Sequence, residues 1–139
     1  MGTGLKVTLG SNLKLLDAAK QAFDNFMDAV DAGGEDFRYW CWVGIQEALV
    51  NAIRHGNLEN PEVPVEFTIE ATGKGMEFAV SDRGKGVVLE NMPDPTAPEN
   101  LLRSSGRGFL FIQNAMDRVS TQGEPGSFTL IMEKDFRGE

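Results

Sequence analysis

The chain has 139 residues, of which 41% are hydrophobic and 24% charged, the size and make-up of one ordinary globular domain. Its formal net charge is -8, which argues against direct binding of nucleic acid or an anionic membrane, since both attract basic surface. A nucleotide stays open, because a few local cations and backbone N–H groups hold one. The single cysteine, Cys41, rules out an intrachain disulfide and is expected to be a buried, inert thiol. No long apolar run follows the N-terminus, so neither a signal peptide nor a membrane span is expected and the reading is cytoplasmic.

Leu5 to Leu9 alternate apolar and polar, as a half-buried strand does. Gly10 breaks the pattern, and Ser11 or Asn12 is placed to cap a helix running to about Val30. Leu15 or Leu16, Ala19, Phe23, Phe26 and Val30 give that helix one apolar stripe. Gly33 and Gly34 end it, and Glu35 and Asp36 put acids at the start of the next, where the helix dipole favours them. This second helix, Glu35 to His55, is apolar almost all round, which predicts burial, with Trp40 and Trp42 in the core. Gly56-Asn57 is its stop signal, and His55 reads as a structural residue at its end.

After a turn at Asn60-Pro61-Glu62, Val63 to Ala71 alternate as a strand. Thr72 to Gly75 form a short hairpin loop, and Met76, Phe78 and Val80 alternate in the antiparallel partner. Leu89 to Arg103 carry three prolines and no clear period, within a loop of about 88–105 that reads as a lid. Ser104 to Gly108 lead into a third helix with Phe109, Ile112, Met116 and Val119 on one stripe, while Arg118 to Thr121 are read as the start of a strand. A turn at Gly123 to Gly126 precedes a last strand with Phe128, Leu130 and Met132 inward, and the polar tail from Lys134 is expected to fray. Antiparallel strands with helices on one face predict a single-domain α+β fold, a two-layer sandwich.

Three stretches interrupt the apolar pattern: Glu47 to His55, Asp82 to Gly86, and Gly106 to Gly108. Glu47 and Asn51 are an i,i+4 pair on one helix face. If buried, each needs a partner, since an unpaired buried polar group costs about 2–7 kcal/mol. Asp82 can accept a hydrogen bond from an exocyclic amine, and Gly84 and Gly86 allow a base to approach the backbone. Gly106 and Gly108 stand at a helix N-terminus, which favours phosphate. Each motif alone is weak: a paired acid on a helix, a turn after a strand and a helix entry are the bland alternatives.

Together and in this order, Glu-x-x-x-Asn, Asp-x-Gly-x-Gly and a proline-rich lid closed by Gly-x-Gly resemble one family. It is the ATP-binding domain shared by DNA gyrase, the ninety-kilodalton heat-shock chaperone, histidine kinases and the MutL mismatch-repair proteins. The resemblance implies that Asn51 holds Mg²⁺, that Glu47 activates the nucleophile, and that Asp82 reads the adenine amine. It further implies that Gly84 and Gly86 line the base and that Gly106, Arg107 and Gly108 hold phosphates. Arg54 stands where histidine kinases often carry a lysine facing phosphate, with a plain surface arginine the equal alternative.

Within that family, Asn51 to Asn57, the lid segment Pro93 to Leu102 and Gly106 to Ile112 with Met116-Asp117 are similar to the bacterial anti-sigma-factor serine kinases. Gly56-Asn57 departs from the alanine and bulkier residue found in many members. The resemblance implies a homodimer that binds a sigma factor and uses ATP and Mg²⁺ to phosphorylate an anti-anti-sigma antagonist. The alternatives are a nucleotide-dependent binding module without phosphotransfer and the detached catalytic domain of a histidine kinase.

Overall fold

The computed structural model describes residues 3–84, 104–124 and 126–136. In chain order they form strand β1 (Thr3–Gly10), a 3-10 turn (Leu13–Leu15), helix α1 (Leu16–Val30), helix α2 (Glu35–Asn51) and a π-helical turn (Ala52–Gly56). Strands β2 (Pro64–Ala71) and β3 (Gly75–Asp82), helix α3 (Ser104–Ala115) and strands β4 (Arg118–Glu124) and β5 (Ser127–Asp135) follow. The strands make one sheet in the order β1-β2-β3-β5-β4, with every neighbouring pair antiparallel.

The two-residue period of the strands decides which side of the sheet is covered. Val65, Phe67 and Ile69 of β2, Met76, Phe78 and Val80 of β3, and Leu130 and Met132 of β5 point into the core. Phe23 of α1, Ile45 and Leu49 of α2 and Ile112 of α3 meet them there, with the Phe23 and Phe78 ring centroids 6.1 Å apart. All three helices therefore lie on one face. The opposite face carries a cross-strand row of acids, Glu70, Glu77 and Glu133, ending at Arg118. Arg118 pairs with Glu133 and Asp135, while Glu77 sits between two acids, and its burial and these like charges push its carboxyl up. The sandwich expected from the sequence is the observed fold.

The caps differ in detail from the sequence reading. Asn12 caps the 3-10 turn by accepting from the Lys14 N–H at 2.9 Å. Ser11 instead is fully buried and donates to the Val63 carbonyl. Helix α1 ends in a left-handed Asp31 (φ 51°), two residues before Gly33, with the Ala32 N–H on the Met27 carbonyl at 3.1 Å. Helix α3 begins at Ser104 and ends at Ala115, so Val119 belongs to β4 and faces Met132 across the sheet.

Two expectations are overturned. Helix α2 is not buried all round: Tyr39 is 62% and Trp40 46% exposed, packed edge to face against each other. Only one side of the helix, through Phe37, Cys41, Ile45, Ala48 and Leu49, enters the core, because α2 has the sheet on one side and solvent on the other. Trp42 does pack inward, with its ring 5.6 Å from that of Phe23. The chain also does not fray at Lys134. This residue continues the inward register of Phe128, Leu130 and Met132 and is 7% exposed. Its ammonium donates to the Ala115 carbonyl at 2.8 Å, meeting the negative end of α3. No helix among the described residues is long and apolar enough to cross a membrane.

Candidate functional site

Helix α2 carries Glu47 and Asn51 on one face, about 6 Å apart along the axis at 1.5 Å per residue. Both are half-buried rather than buried, so neither bears the full desolvation cost that burial would bring. Among the described residues no hydrogen bond or ion pair occupies either side chain. Beyond Asn51 the helix widens into the π turn, closed by the Asn57 N–H on the Ala52 carbonyl at 2.8 Å. The extra residue in this turn carries Gly56 toward the end of β3. Arg54 and His55 point to solvent.

At the end of β3, Asp82 is 8% exposed, and its Oδ1 accepts from the Gly84 N–H at 2.7 Å. Burial pushes its carboxyl above the usual range, and the Gly84 N–H opposes that only in part. No buried side-chain polar atom lacks a partner among the described residues, so Oδ2, which accepts nothing there, is the oxygen that meets the surface.

Gly56 lies against this carboxylate. A β-carbon on it would stand 2.4–2.6 Å from Asp82 Cγ, Oδ1 and Oδ2. Gly84 packs on Gly56 in turn: a β-carbon there would stand 2.6 Å from the Gly56 carbonyl oxygen. The two glycines let the π turn and the β3 end approach backbone to backbone, and any side chain at either position would part them. Gly126 N–H on the Gly84 carbonyl at 2.8 Å adds the β4–β5 turn to the cluster.

Helix and strand end are thus brought together through Gly56, five residues beyond Asn51, with Asp82 and Gly84 on the far side. Gly106 falls in the first turn of α3, with Arg107 and Gly108 next, so the helix begins ahead of the Gly-x-Gly rather than after it. Its first-turn N–H groups have no intrahelical acceptor, as expected of an anion site. Gly86, the Arg107 side chain and residues 88–103 of the expected lid lie outside the described residues.

The sequence reading missed the polar clamp behind Asp82, formed by Asn57 and Ser11. In the sequence Asn57 belongs to a stop signal and Ser11 to a candidate cap. Their partners lie 46 residues apart, and only the folded chain shows the pairing.

A helix bearing an acid and an amide is thus joined to a buried strand-end acid by paired glycines, on an α+β domain with an antiparallel sheet. The chain belongs to the histidine kinase-like ATPase domain family, whose sequence profile matches residues 11–134. It is 38% identical over 92 residues to an anti-sigma F factor of Heyndrickxia coagulans, covering 63% of this chain and 61% of that one. It is 30% identical over 104 residues to the serine-protein kinase RsbW of Staphylococcus aureus, covering 70% of this chain and 65% of that one. The aligned stretch thus spans somewhat under two thirds of these relatives. The fold also matches the crystal structure of the RsbU and RsbW domains of a Mycobacterium tuberculosis protein, with a TM-score of 0.70 at 13% identity, over 96% of this chain and 32% of that one.

Proposed function

We propose that this protein is an ATP-dependent serine/threonine kinase that serves as a cytoplasmic anti-sigma factor. The observation that carries the reading is the continuous helix and π turn that sets Glu47 and Asn51 at one end and Gly56, under Asp82, at the other. One rigid element then presents groups for both ends of a nucleotide. The family membership supports ATP as that nucleotide, and the names of the relatives support the kinase and anti-sigma roles.

In this reading the exposed oxygen of Asp82 accepts a hydrogen bond from the adenine amine. Gly84 and Gly86 line the base, and the start of α3, with Gly106, Arg107 and Gly108, takes phosphate oxygens. Arg54, exposed one turn past Asn51, is a further cation within reach of the phosphates. The donor set fits magnesium: Asn51 offers a neutral oxygen, and among the described residues no group of three His, Cys, Asp or Glu side chains forms a cage of its own. Mg²⁺, when bound, neutralises phosphate charge. Glu47 takes the proton from a serine or threonine hydroxyl of the substrate protein as that oxygen bonds to the γ-phosphorus. The bond from the γ-phosphorus to the bridging oxygen breaks, and ADP leaves with that oxygen. Phosphoryl transfer of this kind depends mainly on positioning and charge.

The substrate is a small anti-anti-sigma antagonist, the competing partner is a sigma factor, and the working unit is a homodimer. The test is to mix the protein with ATP, Mg²⁺ and a validated antagonist and to follow one added phosphate by mass. Transfer is expected from wild type and is lost in Glu47→Gln, which still binds ATP. ATP binding without transfer by wild type removes the kinase reading and leaves a nucleotide-dependent binding module. Recovery of partners from the native cell in ATP and in ADP identifies the sigma factor and antagonist.

A further inference from the structure

Asn57 follows the π turn directly, is 6% exposed, and uses its whole carboxamide. Nδ2 donates to Ser11 Oγ at 2.9 Å and to the Pro64 carbonyl at 3.0 Å, while Oδ1 accepts from the Arg83 N–H at 2.8 Å. Ser11, itself fully buried, donates its own hydrogen bond to the Val63 carbonyl. One side chain therefore joins the β1–α1 link, the end of the π turn, the entry to β2 and the residue after Asp82. That last bond matters most. Strand β3 pairs with its neighbours only as far as Asp82, so the Arg83 N–H has no strand acceptor and Asn57 supplies one. Asp82 is then held from three sides: by strand pairing before it, by the Gly84 N–H on Oδ1, and by Asn57 on the next peptide.

We propose that Asn57 is a positioning residue for purine recognition. By fixing the Asp82–Arg83–Gly84 turn it sets the direction of the exposed carboxylate oxygen, and so makes the site prefer a base edge that donates over one that accepts. The proposal rests on the reading of Asp82 as the acid that meets the base amine. Without the carboxamide, the Arg83 N–H and the Pro64 carbonyl lose their acceptor and donor. Both bonds are part-buried, so a group left unpaired there is costly until water reaches it, and the turn relieves that by rotating toward water.

The experiment compares ATP with inosine triphosphate, which has the same ribose and phosphates and a keto oxygen in place of the amine. Affinities of the purified full chain are read by competition against a fluorescent nucleotide. Wild type is expected to prefer ATP. Asn57→Ala is expected to lose about tenfold in ATP affinity while inosine triphosphate changes by less than about threefold, so that the preference collapses. Ser11→Ala shifts the ratio the same way by a smaller factor, and Ser11→Thr, which keeps the hydroxyl, restores it. An equal loss for both nucleotides in Asn57→Ala means a merely structural residue and overturns the proposal. A wild type that does not distinguish the two nucleotides, yet binds both, overturns the Asp82 reading and this proposal with it. Where Asn57→Ala does not fold, hydrogen exchange of the wild-type Arg83 amide decides: protection is expected, and exchange at the unfolded rate overturns the clamp.

Discussion

The two ends of the candidate site are built in opposite ways. At the Asp82 end only the Gly84 N–H is a local constraint, and the others come from elsewhere in the chain. Gly56, Asn57, Ser11 and Gly126 reach it from the π turn, the β1–α1 link and the β4–β5 turn. At the Glu47 end both groups come from one helix, stand half-buried and carry no side-chain bond among the described residues. Under the proposed function, a buried, cross-tied carboxylate suits a feature that never changes, as a base edge is. Half-open oxygens on a helix face suit phosphates and a hydroxyl that come and go with each turnover.

If this contrast holds, Glu47→Gln gives the largest effect. Phosphoryl transfer should fall by about 10²- to 10⁴-fold, the usual contribution of a general base, with ATP affinity little changed. Gly56→Ala comes next. Its methyl would displace the Asp82 carboxylate, so about 1–3 kcal/mol of stability in denaturant unfolding and most of the ATP affinity should go together. Loss at one end with no loss of fold, and loss of both at the other, is the signature of the asymmetry.

Asp82→Asn separates recognition from stability. Burial raises the folded-state pKa of Asp82, so its favourable contribution to folding is full below the ordinary aspartate range and is lost as pH rises through the raised value. The neutral amide avoids that loss. The variant should therefore melt higher than the nucleotide-free wild type at neutral pH, with the gap closing on acidification, while binding ATP about tenfold more weakly. Thermal melts with and without ATP show both signs. The smallest effect belongs to Trp40→Ser, far along α2 from either end: stability should shift by no more than about 0.5 kcal/mol, and nucleotide affinity not at all.

The sheet was legible in the sequence because a strand writes its two faces as alternation. Val65, Phe67 and Ile69, and Met76, Phe78 and Val80, lie inward as their period requires. The same period, carried two residues past Met132, marks Lys134 as an inward position, but its charge and place near the chain end hid this. Trp40 misled for the converse reason, since size and apolarity do not say on which side of a one-sided helix a residue falls. The site divides along the line drawn above. Glu47 and Asn51 show themselves as an i,i+4 pair, a local pattern. The Asn57–Ser11 clamp spans 46 positions and has no local pattern to show.

Cys41 is the sole cysteine, fully buried on the core side of α2, and burial pushes its thiol up to about 12. In the closed protein it offers neither access nor thiolate to an alkylating reagent. The chain thereby carries a clock for the opening of the helix that bears Glu47 and Asn51. A molecule labelled at this sulfur has let that helix leave its bed, and the rate of labelling counts how often it does so.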